Sequence, residues 1–245
     1  MTMILKDVSF KTPQENILYD EVLLDSAERG LCGEALRFWE SQEIFIVLGR
    51  ISRENEDIRW DNVRRDAVPV LRRASGGGTV LQGKGCLSYS LILSKDRDPQ
   101  MADLRKSYQY ILGKFILALG QLGVAVEFFP ISDLALKANG KKISGNAQKR
   151  SRTFVLHHGT ILYDFDLTKI QDYLNMPADA PPYRQGRRHL DFVANIPSTA
   201  GDMKKAIGHM FCIDRIESKP SNHEKDCLET LMHSKKICVQ PSPAQ

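Results

Sequence analysis

Residues 71–85 read LRRASGGGTVLQGKG, so Arg72 and Arg73 run almost directly into three consecutive glycines. Glycine lets backbone N–H groups approach an anion closely and tolerates positive φ angles. Arginine adds a fixed positive charge that can bind in a bidentate way. The stretch therefore predicts a cradle for a phosphate or a carboxylate. It is not a P-loop, because no Gly-Lys-Ser/Thr follows at the required spacing and no Gly-x-Gly-x-x-Gly opens a helix.

The segments around this loop predict short apolar strands and a few helices. Thr12 and Glu15 form a capping box that starts a helix, and residues 138–140, Ala-Asn-Gly, are typical of a hairpin turn. Further helices are predicted at 108–122 and 199–211, and strands at 36–39, 44–48, 68–71, 87–93, 124–129, 134–136, 142–144, 154–156 and 160–163, the last two separated by a bend at 157–159. We therefore expect an α+β fold with a mixed, mainly antiparallel β-sheet and flanking helices.

The composition fits one large domain, alone or with a small appendage. The chain has 245 residues, of which 42% are hydrophobic and 26% charged. Because it turns polar near residue 217, we expect a main domain over 1–216 and a polar tail over 217–245 that holds one short helix near 222–232. The formal net charge of +4 is too weak to indicate nucleic-acid binding, and it suits anionic small molecules or an acidic protein partner.

Nothing in the sequence predicts export or membrane insertion. Residues 1–7 lack the basic and apolar regions of a signal peptide, and no run approaches the roughly 18 apolar residues of a spanning helix. The five cysteines are odd in number and form no Cys-x-x-Cys pair, which argues against a disulfide framework. We therefore expect a cytoplasmic protein with reduced thiols.

Four blocks, in order along the chain, carry a resemblance to a known family. They are the arginine–glycine loop at 72–78, Ser132-Asp133-Leu134, GKKISGNAQ at 140–148, and HHGTIL at 157–162. Together they resemble the lipoate–protein ligase family, within the class II biotin/lipoate ligase-like fold group. The stretches NILYDE at 16–21 and DFVANI at 191–196 are similar as well.

The resemblance implies that the domain over 1–216 is catalytic and transfers an acyl group in two steps. Lipoate (or octanoate) and ATP would form an acyl-adenylate and pyrophosphate, with Mg²⁺ as the metal. A lysine of a lipoyl-acceptor domain, in a dehydrogenase complex or the glycine-cleavage carrier, would then take the acyl group and release AMP. In some relatives a small accessory ligase subunit is needed for adenylation. The basic residues Arg184, Arg187 and Arg188 are a candidate surface for the acceptor.

Lys142 is the catalytic residue that the resemblance implies, because the family's lysine before Ile/Val-Ser-Gly contacts the acyl carbonyl and the α-phosphate. A point charge on a flexible stem suits a moving phosphoryl group. Asp133 is the implied metal ligand, since Mg²⁺ takes one or two carboxylates plus phosphate oxygens. His158 is either a general acid–base group or a residue that fixes strand and loop by hydrogen bonds.

The remaining site residues form two sets. The expected lipoate- and AMP-binding residues are Arg72, Arg73, Ser75, Gly76, Gly77, Gly78, Lys142, Ser144, Gly145, Ala147 and His158. The expected acyl pocket consists of Trp39, Val47, Val80 and Tyr89, for which burial in an ordinary core is the competing interpretation. The chain has Gln82-Gly83 where the family often has His-Asp, a difference that affects acyl or phosphate contacts.

Three alternative functions remain. An octanoyltransferase shares the fold but uses no ATP and forms a thioester on a cysteine. In those relatives the cysteine lies where this chain has residues 130–133 or 157–159, which leaves Cys86 as the candidate here. A biotin ligase has a similar glycine-rich loop. A non-catalytic acyl-binding or carrier-binding module would keep only the pocket.

Overall fold

Helix and strand boundaries largely follow the residue patterns in the computed structural model, which describes residues 3–241. The strands are β1 (Met3–Asp7), β2 (Glu34–Trp39), β3 (Phe45–Leu48), β4 (Val70–Arg72), β5 (Val80–Gln82), β6 (Cys86–Ser94), β7 (Val126–Phe129), β8 (Asp133–Leu136), β9 (Lys142–Arg150), β10 (Phe154–Leu162) and β11 (Ile213–Glu217). The helices are α1 (Pro13–Glu28), α2 (Glu54–Asp57), α3 (Trp60–Arg65), α4 (Leu104–Gln121), α5 (Thr168–Tyr173), α6 (His189–Phe192), α7 (Ala200–Met210) and α8 (Asn222–Ser234).

The strands form two sheets. Eight of them make a large sheet in the order β11-β1-β2-β6-β10-β9-β8-β7, and three make a small sheet in the order β4-β3-β5. In the large sheet β1 pairs in parallel with β11 and β2, and the other pairs are antiparallel. The small sheet has one parallel and one antiparallel pair. The predicted α+β class with a mixed, mainly antiparallel sheet is confirmed.

The side-chain alternation of β2 separates two apolar layers. Leu36 and Phe38 point into a core that is shared with α4 and α7. Ala35 and Trp39 point the other way, into a core that contains α1, α8 and residues of the small sheet. The small sheet therefore packs on the same face of the large sheet as α1, and this arrangement positions the site described below.

Local capping sets two of the helix starts. Thr12 Oγ1 accepts from the Glu15 N–H at 3.2 Å, and Glu15 accepts from the Thr12 N–H at 3.0 Å, so the predicted capping box is confirmed. Helix α4 begins at Leu104, earlier than the predicted 108, because Asp103 accepts from the Lys106 N–H at 2.8 Å and caps the first turn.

The predicted bend at 157–159 is wrong. Residues 154–162 form one continuous strand, β10, in which Gly159 pairs with Tyr89 on one side and Asn146 on the other. A Cβ at Gly159 would overlap the Asn146 side chain and lie 2.8 Å from the Gly145 carbonyl oxygen. The glycine therefore permits close strand approach in the middle of a sheet, whereas the sequence interpretation took it as a break.

The part of the chain after α7 packs against the rest of the fold. β11 lies beside β1, and the buried Leu228 of α8 shares a core with α1. Lys6 and Glu224, both buried, form a salt bridge of 2.7 Å, and Tyr19 donates to the same carboxylate at 2.9 Å. The division into 1–216 and 217–245 stays a prediction, and residues 242–245 lie outside the described part of the chain.

Residues 237–239 extend the small sheet. The Arg72 N–H donates to the Ile237 carbonyl at 2.8 Å, and the Val239 N–H donates to the Val70 carbonyl at 2.8 Å. Leu71 and Cys238 form the antiparallel bridge between these two bonds. Among residues 3–241, no helix is long and apolar enough to cross a membrane.

Candidate active site

The candidate site lies at the loop between β4 and β5, where the small sheet approaches the large one. A cavity of about 130 Å³ is lined by residues of α1, of both sheets and of the glycine loop. A groove of about 680 Å³ adjoins it. The residues common to both are Gly77, Gly78, Thr79, Val80, Ser132, Asp133, Lys142, Gly145 and Thr160. Cavity and groove therefore meet at Lys142 and Asp133.

Arg73 spreads its guanidinium across the glycine loop. Its Nη2 donates hydrogen bonds of 2.8 Å to the carbonyls of Gly76 and Gly78, and its Nη1 donates at 3.3 Å to the Val47 carbonyl. Gly77 has a φ of +83°, and a Cβ there would lie 2.9 Å from Nη2. Both the turn and the close approach therefore require glycine at this position.

The charge of Arg73 has only neutral partners. Every acceptor of its guanidinium is a carbonyl or hydroxyl oxygen. Burial lowers the pKa of Arg73 to about 10, so the group remains protonated at neutral pH. Its charge borders the cavity without a carboxylate partner in residues 3–241, which favours the binding of an anion there.

A chain of hydrogen bonds links the glycine loop to α1. Ser75 Oγ lies 2.6 Å from His158 Nε2 and accepts from Arg73 Nε at 3.0 Å. His158 Nδ1 lies 3.0 Å from Asp20 Oδ2, and Arg37 Nη1 donates to Asp20 Oδ1 at 2.8 Å. In the neutral tautomer with the proton on Nδ1, His158 donates to Asp20 and accepts from the Ser75 hydroxyl. The loop, the β10 histidine and α1 therefore share one network.

The Asp20 carboxyl group, at one end of this series of hydrogen bonds, is ionised. Burial alone raises the pKa of Asp20, but the hydrogen bond with His158 and the charge of Arg37 outweigh it and lower the pKa below its ordinary value. Asp20 and Arg37 are both buried. The carboxylate therefore stays negative at neutral pH and fixes which His158 nitrogen carries the proton.

Lys142 lies at the junction of cavity and groove. Its Nζ is 2.8 Å from Asp133 Oδ1, and Tyr183 donates to Asp133 Oδ2 at 2.6 Å. The Tyr183 ring stacks on Phe129 with 4.3 Å between centroids. Burial, and then the Asp133 charge, raise the pKa of Tyr183 far above its ordinary value, so the phenol stays a donor. Lys142 is about a quarter exposed, which leaves its ammonium free to exchange partners.

Asn146 joins the two halves of the site. Its Nδ2 donates to the Ser132 carbonyl at 2.7 Å, and its Oδ1 accepts from the Tyr89 hydroxyl. Asn146 thus connects β9, the segment before Asp133 and β6. The close contact with Gly159 described above holds this amide against β10.

The predicted acyl-pocket residues lie together. Trp39, Val47, Val80 and Tyr89 all line the cavity. Ile17, Gln82 and Ser88 line it as well. Gln82 is the residue that stands where the family often has histidine, so that difference falls on the cavity wall.

The predicted binding residues separate into two groups. Those that line the cavity, the groove or both are Arg73, Gly77, Gly78, Lys142, Ser144, Gly145, Ala147 and His158. Ser75 and Gly76 line neither and act through hydrogen bonds to His158 and Arg73.

Arg72 points away from both spaces. Its Nη1 donates to the carbonyls of Gly49 and Ser52 at 2.9 Å, and its Nη2 pairs with Glu54 at 2.7 Å. It therefore braces the loop before α2. Side chains alternate across a strand, so two adjacent arginines at the end of β4 cannot both face the cavity.

The proposed basic surface for an acceptor is not formed as expected. Arg184 is buried and lies 4.6 Å from the Phe192 ring centroid. Arg187 donates to the carbonyls of Gly140 and Tyr183. Arg188 alone of the three is strongly exposed, and it pairs with Asp191 at 3.1 Å. Arg184 lines the groove instead.

Cys86 lies outside both spaces. It is 1% exposed, and burial raises the pKa of its thiol to about 12. Because the thiolate is the reactive form of cysteine, this position does not suit a nucleophile. Residues 3–241 contain all five cysteines of the sequence, and none of them lines the cavity or the groove.

The residues fit a magnesium ion only as a site shared with substrate. Asp133 supplies one carboxylate at the junction, and its oxygens bond to Lys142 and Tyr183. In residues 3–241 no group of three or more His, Cys, Asp or Glu side chains is placed to hold a metal. One carboxylate with phosphate oxygens and water is nevertheless an ordinary Mg²⁺ environment.

Sequence reasoning missed four residues of the network: Asp20, Arg37, Asn146 and Tyr183. Asp20 sits among buried apolar positions of α1, and Arg37 interrupts the apolar run of β2. A charged residue on a buried face is the informative exception in such patterns, and two of opposite sign suggest a pair. Tyr183 carried no comparable sign, because it lies in the loop-like region around 177–188.

The chain is similar to known proteins over most of its length. Residues 12–215 match the family described as the lipoyl protein ligase A/B catalytic domain. A protein of Mycoplasma pneumoniae named probable lipoate-protein ligase A is 33% identical over 164 residues, which are 67% of this chain and 46% of that protein. The chain thus spans about half the length of that relative. The octanoyltransferase LipM of Lysinibacillus sphaericus is 28% identical over 246 residues, with 89% of each chain covered.

Solved structures share the architecture. A structure described as a bipartite lipoate protein ligase and its E2 lipoyl domain from Thermoplasma acidophilum gives a TM-score of 0.80 at 21% identity, covering 96% of this chain and 92% of that one. A lipoate-protein ligase A bound with ATP gives 0.80 at 21% identity, covering 96% of each. At these identities the likeness shows the fold. With the family match over 12–215 it confirms the resemblance that the four blocks predicted, and the chain belongs to the lipoyl protein ligase A/B catalytic-domain family.

Proposed function

We propose that this protein is an ATP-dependent lipoate–protein ligase. It activates lipoate or octanoate as the acyl-adenylate and transfers the acyl group to a lysine of a lipoyl-acceptor domain. The observation that carries the proposal is the position of Lys142. It lies where the cavity meets the larger groove, and Lys142 and Arg73 both line the cavity.

The two spaces suit the two reactants. The cavity, walled by apolar side chains such as Trp39 and Val47, takes the acyl chain with its carboxylate toward Lys142. The groove takes ATP, with the triphosphate near the glycine loop. Holding both in one geometry removes much of the entropic barrier to their reaction.

Adenylation then needs little more than fixed charge. A carboxylate oxygen attacks the α-phosphorus, a new C–O–P linkage forms, and pyrophosphate leaves. Negative charge grows on the α-phosphate oxygens, and preorganised cations there stabilise the transition state. Lys142 supplies the mobile cation, and Arg73, held by the carbonyls of Gly76 and Gly78, supplies a fixed positive charge.

Transfer to the acceptor is the second step. The neutral ε-amine of the acceptor lysine attacks the acyl carbonyl, the amide forms, AMP leaves, and the amine releases a proton. Lys142, next to the carbonyl, stabilises the developing oxyanion. Bound Mg²⁺ would neutralise phosphate charge, and Asp133 is the residue that would hold it.

An octanoyltransferase is the alternative, favoured by the likeness to the LipM protein of Lysinibacillus sphaericus. That chemistry needs an accessible thiolate. The location of Cys86, buried outside both spaces, weighs against it. A ligase that needs a separate accessory protein is a second alternative, since a structure of similar fold is described as a bipartite lipoate protein ligase.

ATP–pyrophosphate exchange with lipoate and Mg²⁺ tests the proposal. We expect exchange by the protein alone and a drop of at least about 100-fold in Lys142→Ala, because a transition-state charge is lost. Lys141→Ala is the matched control, since that neighbouring lysine donates to the Leu190 carbonyl away from the junction.

Three results would count against the proposal. Exchange that persists in Lys142→Ala would remove the assigned catalytic residue. An octanoyl adduct on Cys86 by intact mass, without ATP, would establish the transferase. Exchange that appears only on adding an accessory subunit would restrict this chain to one part of a bipartite ligase.

A further inference from the structure

The strand that leads into Arg73 is paired on its outer edge by residues 235–239, here called the C-terminal strap. Two backbone hydrogen bonds of 2.8 Å join the strap to β4, from the Arg72 N–H to Ile237 and from the Val239 N–H to Val70. β4 has three residues and pairs with β3 on its other edge. The strap thus pairs with one of the two edges of β4.

Two side chains of the strap, Lys235 and Ile237, hold it against the rest of the fold. Lys235 Nζ lies 2.5 Å from Glu21 Oε1, and the same carboxylate binds Lys149 of β9 at 3.0 Å. Ile237 is 3% exposed and belongs to the apolar cluster that contains Trp39 and Val47 of the cavity wall. The strap therefore touches α1, β4 and the layer behind the cavity.

A three-residue strand has little pairing of its own. Without the strap, β4 would become an edge with a free N–H at Arg72 and a free carbonyl at Val70. Arg73 follows immediately, and its Nη2 bonds to Gly76 and Gly78 depend on where β4 ends. Movement of β4 would therefore shift the guanidinium and the glycine loop together.

We propose that the C-terminal strap is a positioning element of the active site, which holds β4 so that Arg73 keeps the glycine loop in its anion-binding conformation. The strap lies beyond residue 215, where the family match ends. The catalytic unit of this chain thus includes a segment outside the matched domain. The effect on catalysis rests on the proposed function, whereas the effect on the loop does not.

Val239→Pro tests the strap by removing one backbone donor, and Val239→Ala is the matched control that keeps it. Amide hydrogen exchange reads out the loop without any assumption about activity. We expect exchange over residues 70–80 to quicken about tenfold in Val239→Pro, with unchanged protection in α4 (Leu104–Gln121). Val239→Ala should behave as the parent protein. We also expect kcat/KM for lipoate-dependent pyrophosphate exchange to fall about tenfold in Val239→Pro.

A second variant guards against a general loss of folding. Ile237→Ala keeps every backbone hydrogen bond of the strap and removes only part of its buried apolar side chain. It should therefore quicken exchange over residues 70–80 as well, but by less. The proposal is overturned if residues 70–80 exchange alike in Val239→Pro and Val239→Ala. It is also overturned if Ile237→Ala loosens α4 as much as the loop. If the parent protein shows no pyrophosphate exchange, the proposed function fails, and the hydrogen-exchange comparison still decides the role of the strap.

Discussion

Two buried arginines sit at opposite ends of one hydrogen-bonded chain, and they differ in how their charge is balanced. Arg37 donates to the ionised Asp20 at 2.8 Å and lies 4.8 Å from the Tyr19 ring centroid and 5.2 Å from that of Trp39. Within residues 3–241, Arg73 donates only to neutral oxygens. His158 and Ser75 connect the two regions.

The difference assigns different roles to two similar side chains. A buried charge with a carboxylate partner and satisfied donors holds structure together. A buried charge with neutral partners keeps its field, and in the wall of a cavity that field attracts an anion. Burial alone would have given Arg37 and Arg73 the same interpretation.

The largest expected effect comes from removing Arg37, whose charge is balanced by Asp20. Arg37→Met leaves the buried Asp20 carboxylate with His158 but without its arginine partner, so we expect the free energy of unfolding to fall by about 3–5 kcal/mol, measured by urea denaturation. The double variant Arg37→Met/Asp20→Asn should recover part of that loss, because no unpaired charge remains. A loss of less than about 1 kcal/mol in the single variant would contradict the assigned pairing.

Replacing Arg73, whose hydrogen-bond partners are neutral, should affect activity more than stability. In Arg73→Met we expect pyrophosphate exchange to fall about 100-fold, since the fixed cation beside the cavity is lost. Arg73→Lys keeps the positive charge but loses the planar guanidinium. Its rate of pyrophosphate exchange should therefore lie between those of the parent protein and Arg73→Met. The free energy of unfolding should change less than in Arg37→Met. A larger loss of unfolding free energy in Arg73→Met than in Arg37→Met would contradict the roles assigned to the two arginines.

The smallest effect is a pH dependence that sharpens the comparison. The folded pKa of Asp20 lies below its ordinary value of 3.8, so its stabilising contribution is complete above that value and is lost as the pH falls through the folded pKa. We expect parent and Asp20→Asn to differ most in unfolding free energy above about pH 5. The gap should narrow below pH 4 by up to about 1.4 kcal/mol per pH unit. A gap that stays constant during acidification would rule out an ionised Asp20.

Local features of this fold could be predicted because their causes lie within a few residues. The Thr12 capping box, the Ala-Asn-Gly turn and the run of glycines after Arg73 each act over one turn of chain. Motif order along the chain predicted the family. These predictions need no knowledge of what packs against what.

Features that depend on distant partners could not be predicted in the same way. Gly159 looks like a break until β6 and β9 are seen on either side of it. Strand alternation separates Arg72 from Arg73, but which of the two faces the cavity depends on distant contacts such as Arg72 with Glu54. Asp20 needs Arg37 in another element before its burial makes sense. In each case the determining contact is set by the tertiary fold.

The pairing of residues 237–239 with β4 has a consequence for biosynthesis. A ribosome makes Arg73 long before Val239, so the strand that leads into the glycine loop is made well before its outer neighbour. Asp20 and Arg37 are both made before β4, so this pair waits for no later residue. Synthesis therefore separates the two arginines in time as well: the carboxylate partner of Arg37 is made before it, whereas the outer neighbour of the strand that leads into Arg73 is made long after it.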